Sequence, residues 1–276
     1  MGIAVRKLPE IATRAGGPIR KYSIHLLARA SGRNDEYQVP AGPAGNFAPN
    51  PLSSNCHHHP QPSQMTAPHI LVLAAGASRR LGQPKQLVKL AGRPALHIVV
   101  ANAVAVAGHN VTVVIGAHAR DLSRLLGHSP ASVIINRRWE EGMASSLRFG
   151  IASLPPACDA TMVLLGDQVA VTADDLKRLI DAWKGEESMI AASVYDQRVG
   201  VPAIFPRFCF SELSELRGDQ GARKILERNS YRLIRVPMPN AAIDLDTPED
   251  LAMLTERFQR PASAGQSSAA GVAGET

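Results

Sequence analysis

Residues 69–94, HILVLAAGASRRLGQPKQLVKLAGRP, constrain the fold of this chain more than any other stretch. An unbroken apolar run over residues 70–75 has the length of one strand buried on both faces. Directly after it come Gly76, Ser78, Arg80, Gly82 and Lys85 within ten positions, with Pro84 and a second apolar segment closing the loop. Glycines at the carboxyl end of a buried strand let a ligand approach the backbone, and the amides there can face phosphate oxygens. Arg80 and Lys85 add positive charge suited to a polyphosphate. The spacing is not that of a Walker loop. Gly76 and Gly82 stand six apart, Lys85 does not follow the second glycine, and Gln86 occupies the place of the Ser or Thr that would hold magnesium. Nor is it the dinucleotide fingerprint, which carries no such Arg and Lys. The stretch is a nucleotide loop of another kind.

From Met65 onward, strand patterns alternate with helix patterns. Strands are predicted over residues 70–75, 111–115, 132–135, 160–165, 189–194, 202–205 and 233–236, the sixth kept short by Pro202 and Pro206. Helices are predicted over residues 94–106, 121–126, 173–183 and 219–228, and within 139–151. This order implies one Rossmann-like α/β domain over residues 65–260, an open, mostly parallel sheet with helices on both faces. Ligands of such folds sit beyond the carboxyl ends of the strands.

The flanks differ in composition. Residues 1–64 are dense in Pro, Gly, Ser and Asn and lack either hydrophobic period, so they read as a disordered leader, either dispensable or the product of a misassigned start before Met65. Residues 21–30 could form a short helix with little nearby to bury it. Cys56, His57, His58 and His59 are metal-ligand types, but a Pro-rich tract offers no scaffold to preorganise them. Residues 261–276, rich in Ala, Gly and Ser, read as a disordered tail.

Composition excludes several classes. No apolar run approaches the roughly 20 residues of a membrane span. The three cysteines, Cys56, Cys158 and Cys209, are scattered and odd in number, which argues for a reducing compartment without a disulfide framework; with no secretory signal, the expected location is cytoplasmic. The net charge is +6, but residues 1–64 carry +4 of it, seven Lys/Arg against Glu10, Asp35 and Glu36. Aromatics make up only 4%, so no stacking platform for nucleic acid is evident.

Two further segments carry chemistry. Gly166-Asp167-Gln168 follows the apolar strand over 160–165, which projects the Asp167 carboxylate into the ligand crevice, where it can hold Mg²⁺ against phosphate oxygens. Asp244-Leu245-Asp246-Thr247-Pro248-Glu249-Asp250 reads in part as a helix start, with Pro248 in the first turn and acids favouring the dipole. That reading leaves Asp244 and Asp246 unexplained; they lie two apart, on one side of an extended chain.

The pattern LAAGxSxRxGxxKxL, from Leu73 to Leu87, resembles the signature loop of the MobA-like nucleotidyltransferases, the molybdenum cofactor guanylyl- and cytidylyltransferases. The likeness runs from about residue 70 to 254 and is greatest to the cytidylyltransferase branch, which carries LAAG where the guanine-using branch has two glycines. It implies transfer of CMP from CTP to the phosphate of molybdopterin, as the molybdenum cofactor, with release of pyrophosphate. A client of the xanthine-dehydrogenase kind would receive the product. By the resemblance Leu73, Ala74, Ala75, Gly76, Ser78 and Gly82 hold the nucleotide, and Arg80 and Lys85 neutralise charge on the α-phosphate and leaving group. Asp167 pairs with Asp244 or Asp246 on Mg²⁺. Asn136, Trp139 and the Gly142–Leu147 stretch resemble the N…W…GMxxSL element lining the nucleotide side, although Ser145 and Ser146 are equally readable as an N-cap pair. Gly200-Val201-Pro202 and the Gly218–Arg223 stretch resemble acceptor-binding segments. They point to Gly200, Pro202 and Arg223, the last either on an acceptor phosphate or capping its own helix. Two residues depart from the family pattern: Val169 stands for Pro, and Val201 for His. Two rival functions remain, transfer to a sugar or alditol phosphate and a non-enzymatic chaperone of cofactor maturation.

Overall fold

The computed structural model describes residues 67–259. The expectations for residues 21–30, for Cys56 and His57–His59, and for the tail over 261–276 lie outside the described residues.

In chain order the strands are β1 (His69–Ala74), β2 (Lys89–Leu90), β3 (Arg93–Pro94), β4 (Val111–Ile115), β5 (Ser132–Ile135), β6 (Ala160–Leu165), β7 (Ile190–Tyr195), β8 (Arg198–Pro206) and β9 (Leu233–Pro237). The helices are α1 (Ala95–Ala107), α2 (Ala119–Leu126), α3 (Met143–Ala152), α4 (Ala173–Trp183), α5 (Phe210–Glu215), α6 (Arg223–Arg228) and α7 (Pro248–Gln259). Seven strands form one sheet in the order β5-β4-β1-β6-β8-β7-β9, while β2 and β3 make a small antiparallel ribbon. Within the sheet β8 alone runs against its neighbours β6 and β7; the other pairings are parallel.

Alternation along β1 divides the core between the two faces. Ile70, Val72 and Ala74 pack with Leu96 and Val99 of α1, Leu176 and Leu179 of α4 and Leu254 of α7. Leu71 and Leu73 face the other way, toward Leu147 and Ile151 of α3, Leu213 of α5 and Ile225 of α6. Fully burying one such side chain contributes about 1.5–3 kcal/mol. The fold class is therefore the one expected, an α/β sheet covered on both faces.

The chain leaves β1 through α1 to β4 and β5 on one side, then returns to β6 on the other. That reversal opens a crevice beyond the carboxyl ends of β1 and β6.

Three local expectations need correction. The strand predicted over 202–205 is the nine-residue β8, joined to β7 by a tight hairpin at Asp196 and Gln197, both at positive φ (46° and 57°). Pro202 is tolerated because the β7–β8 register shifts at Ala192/Ser193, and its carbonyl accepts a bond from Ser193 Oγ (2.6 Å). The helix expected over 219–228 begins only at Arg223, so residues 217–222 are loop. Helix α5 had no counterpart in the prediction.

Candidate active site

The loop after β1 is held from below by Gln86, whose side chain is 2% exposed. Its Nε2 donates to Ala74 O (3.2 Å) and Gly76 O (2.8 Å), and its Oε1 accepts from Ser78 Oγ (3.2 Å). Ser78 Oγ in turn accepts from the Lys85 amide (3.1 Å). Gln86 thus braces the loop, and Ser78 serves it from beneath the ligand face. Gly82, at φ 71°, turns the chain back so that Lys85 returns over the strand end.

Lys85 is the centre of the charge network. Its Nζ donates to Asp167 Oδ2 (2.5 Å) and to Asp246 Oδ1 (2.6 Å), and Arg80 closes on Asp246 Oδ2 at 2.9 Å. Burial works to lower the Lys85 pKa, but the Asp167 and Asp246 carboxylates outweigh it and hold it above the ordinary value. The ammonium stays charged. Asp244 is pushed the other way: burial first, then repulsion from Asp167 and Asp246, lift it from 3.8 to about 7.

Backbone ties fix these carboxylates. Asp167 leaves the end of β6, and its carbonyl accepts from the Val169 amide (2.9 Å), a bond that the family's Pro could not make. Gln168 Nε2 donates to Val201 O (2.9 Å) and Ala241 O (3.3 Å), and the Leu245 amide donates to Asp167 O (3.2 Å). These bonds bring the segment carrying Asp244 and Asp246 beside Asp167. Asp250 Oδ2 accepts from the amides of Asp246 (3.1 Å) and Thr247 (2.9 Å), which anchors the start of α7. Helix capping therefore accounts for Thr247 and Asp250, and leaves Asp244 and Asp246 to the site.

A cavity of about 410 Å³ opens here, lined by Leu73, Ala74, Ala75, Gly76, Lys85, Ser146 and Asp167 among the predicted residues. Asn136 and Ser145 stand behind Ser146. Asn136 Nδ2 donates to Ser145 Oγ (2.9 Å) and Ser146 Oγ (3.1 Å), and Ser145 Oγ donates to Arg138 O (2.8 Å). The N-cap reading of the two serines is overturned, because Gly142 is the N-cap of α3 and both serines lie inside the helix. Gly200 and Pro202 are buried in β8 and do not line the cavity. Arg223 does not line it either; it opens α6 and pairs with Glu227 (3.0 Å), so it is not a cap.

Trp139 and Met143, of the expected nucleotide-side element, line the cavity, as does Asp219 of the expected acceptor-side stretch; Arg79, Gln86 and Glu140 line it without any such expectation. Arg79 lines the cavity, whereas its neighbour Arg80 points a largely exposed side chain at Asp246. Trp139 reaches the cavity because Gly116 has no side chain; a Cβ there would lie 2.5 Å from Trp139 Cβ.

Among the described residues no ready-made group of three His, Cys, Asp or Glu ligands is assembled. Asp167 Oδ1 and Asp244 Oδ1 are nevertheless buried without a hydrogen-bond partner, as oxygens awaiting a ligand would be. One or two carboxylates completed by substrate phosphates is how Mg²⁺ is usually held. The donor set therefore fits a hard divalent cation.

A cationic glycine loop, a lysine clamped by carboxylates and a crevice at the sheet's switch point define a nucleotide-handling α/β enzyme site. More narrowly, residues 70–233 match the MobA-like NTP transferase domain, and the chain belongs to that nucleotidyltransferase family. It is 29% identical to Nicotine blue oxidoreductase of Paenarthrobacter nicotinovorans over 193 residues, covering 67% of this chain and 94% of that protein. It is 27% identical to the Purine catabolism protein PucB of Bacillus subtilis (strain 168), covering 69% and 98%. Among solved structures, Rv0371c of Mycobacterium tuberculosis H37Rv superposes with a TM-score of 0.61 at 29% identity, covering 70% of this chain and 99% of that one. A second structure of Rv0371c is a complex with manganese, at a TM-score of 0.58 and 28% identity, covering 69% and 99%.

Proposed function

We propose that this chain is a molybdenum cofactor cytidylyltransferase. An oxygen of the molybdopterin phosphate attacks the α-phosphorus of CTP, the bond from that phosphorus to the bridging oxygen breaks, and pyrophosphate leaves. The observation that carries this reading is the Lys85–Asp167–Asp246 network at the mouth of the cavity, with an unpartnered oxygen on Asp167 and another on Asp244.

The attacking group is already an ionised phosphate, so the site needs no strong base; catalysis is positioning and charge compensation. The main chain from Leu73 to Gly76, with Arg79, receives the triphosphate, while Lys85 meets charge as it builds on the α-phosphate. Arg80 reaches the leaving group from the open side once Asp246 releases it. Asp167 with Asp244 or Asp246 would hold Mg²⁺ or Mn²⁺, which supplies further charge neutralisation; the manganese complex of Rv0371c supports a divalent ion here. Gly200, Pro202 and Arg223 remain our assignment for the acceptor side. The product would pass to a xanthine-dehydrogenase-type client in the cytoplasm, without nucleic acid or membrane as partner. Among the described residues no helix is long and apolar enough to cross a membrane.

The test is pyrophosphate release from a panel of four ribonucleoside triphosphates against molybdopterin, sugar phosphates and alditol phosphates. Release with CTP and molybdopterin alone supports the reading. Release with a sugar or alditol phosphate instead overturns the acceptor. One relative bears an oxidoreductase's name, so the panel includes nicotinamide-dependent dye reduction; redox turnover without any nucleotide turnover overturns the reaction class.

A further inference from the structure

The cavity has two unlike ends. One end carries Lys85, Arg79 and Asp167, a set that suits a phosphate with its counter-cation. Toward the start of α3 its walls are Ala75, Trp139 and Met143, an apolar slot suited to a planar base. The charged groups at that end are both carboxylates, Glu140 and Asp219.

Asp219 is held there by its loop. The Gly218 carbonyl accepts from the Ala144 amide (3.0 Å), and Arg148 Nη1 donates to Leu216 O (2.7 Å), tying the stretch just before Asp219 to α3 at two points. Gly142, at φ 99°, leaves room for the Asp219 carboxylate: a Cβ at 142 would sit 2.6 Å from Asp219 Oδ1 and 2.5 Å from the Gly218 carbonyl. No hydrogen bond or ion pair within the described residues engages the Asp219 carboxylate. A carboxylate only accepts, so the base edge it meets must donate.

We infer that Asp219 is a specificity-determining residue that accepts a hydrogen bond from the exocyclic amino group of the base and thereby selects cytosine over uracil. The inference rests on the cytidylyltransferase reading and supplies what that reading lacks; because Asp219 lines the cavity and Arg223 does not, it assigns Asp219 to the nucleotide rather than to the acceptor-side stretch around it. Ala75 can disfavour a purine by size, but cytosine and uracil have the same size. Uracil presents a carbonyl oxygen where cytosine presents an amino group, and two acceptors facing each other leave both unpaired.

The experiment measures kcat/KM for CTP and UTP, by pyrophosphate release, in the unaltered protein and in Asp219→Asn and Glu140→Gln. Binding of CTP and UTP, followed through quenching of tryptophan fluorescence, is measured alongside. The unaltered protein is expected to prefer CTP. Asp219→Asn keeps the shape but offers a donor as well as an acceptor, so UTP gains and the CTP:UTP ratio falls by about 10- to 100-fold, the scale of one well-placed base-edge hydrogen bond. Glu140→Gln leaves the ratio within about twofold. An unchanged ratio in Asp219→Asn, an equal loss for both nucleotides, or a shift in Glu140→Gln instead overturns the inference while CTP turnover leaves the parent reading intact. If the unaltered protein neither binds nor turns over CTP, the parent reading falls, and this inference falls with it.

Discussion

Replacing Asp244 by Asn should make the protein more stable and less active. Asp244 ionises near pH 7 in the fold, against 3.8 ordinarily, because burial, Asp167 and Asp246 all oppose its charge and only Lys85 favours it. At about 1.4 kcal/mol per pKa unit, holding that charge at pH 8 costs at most about 4 kcal/mol. The side chain is half-buried and water screens its field, so about 1–2 kcal/mol is the fair figure. For a domain of this size that corresponds to a Tm roughly 3–6 °C higher for Asp244→Asn at pH 8. The sign follows from linkage. The folded carboxylate binds its proton more tightly than the unfolded one, so this group's contribution is most favourable below about pH 4 and is lost as pH rises to about 7. The difference between variant and unaltered protein should therefore be near zero at pH 4, grow through pH 5 and 6, and level off above pH 7. Thermal melts at four pH values read this directly. A variant less stable than the unaltered protein at pH 8, or a gain independent of pH, would refute the placement of Asp244 among uncompensated carboxylates. Added Mn²⁺ or Mg²⁺ should raise the Tm of the unaltered protein more than that of Asp244→Asn, because the variant has lost one candidate cation ligand.

Lys85→Ala should lower kcat by about 10²–10³-fold, the scale for one transition-state stabiliser, with KM nearly unchanged; a rise in KM alone would show uniform binding instead. Ala75→Gly should relax the nucleotide preference toward GTP by about 10-fold or less in kcat/KM, since one methyl in a pocket is worth about 1–3 kcal/mol. A chain beginning at Met65 should keep full activity in the pyrophosphate assay; a loss of folding would give residues 1–64 a structural role.

The parallel half of the sheet was legible because β1, β4 and β6 are apolar at all but one position each, a pattern that needs no knowledge of their partners. The β7–β8 hairpin was not, because Asp196-Gln197 adopts positive φ without the glycine that usually announces such a turn. Pro202 misled for a related reason: whether a proline interrupts a strand depends on the register of its neighbour. At the site, Lys85 and Asp167 stood out because one follows a glycine turn and the other a buried strand, and Asp244 and Asp246 because a helix start accounts for the acids after them but not for these two. Gln86 did not, and Asp219 was legible only as part of an acceptor-side stretch. Both owe their places to contacts made across the fold, with the strand-end loop and with Gly142 respectively. The role of Ser145 and Ser146 turned on a single helical residue: with Gly142 as N-cap, both hydroxyls fall inside the helix and turn to Asn136.

The most direct test follows the α-phosphate itself. The full chain, incubated with CTP labelled at the α-phosphate, molybdopterin and Mg²⁺, should move the label into a cytidylylated pterin with one pyrophosphate released per label transferred. Asp167→Ala should abolish the transfer without unfolding the protein. Label that remains in CTP, or that moves equally well from GTP, would contradict the account.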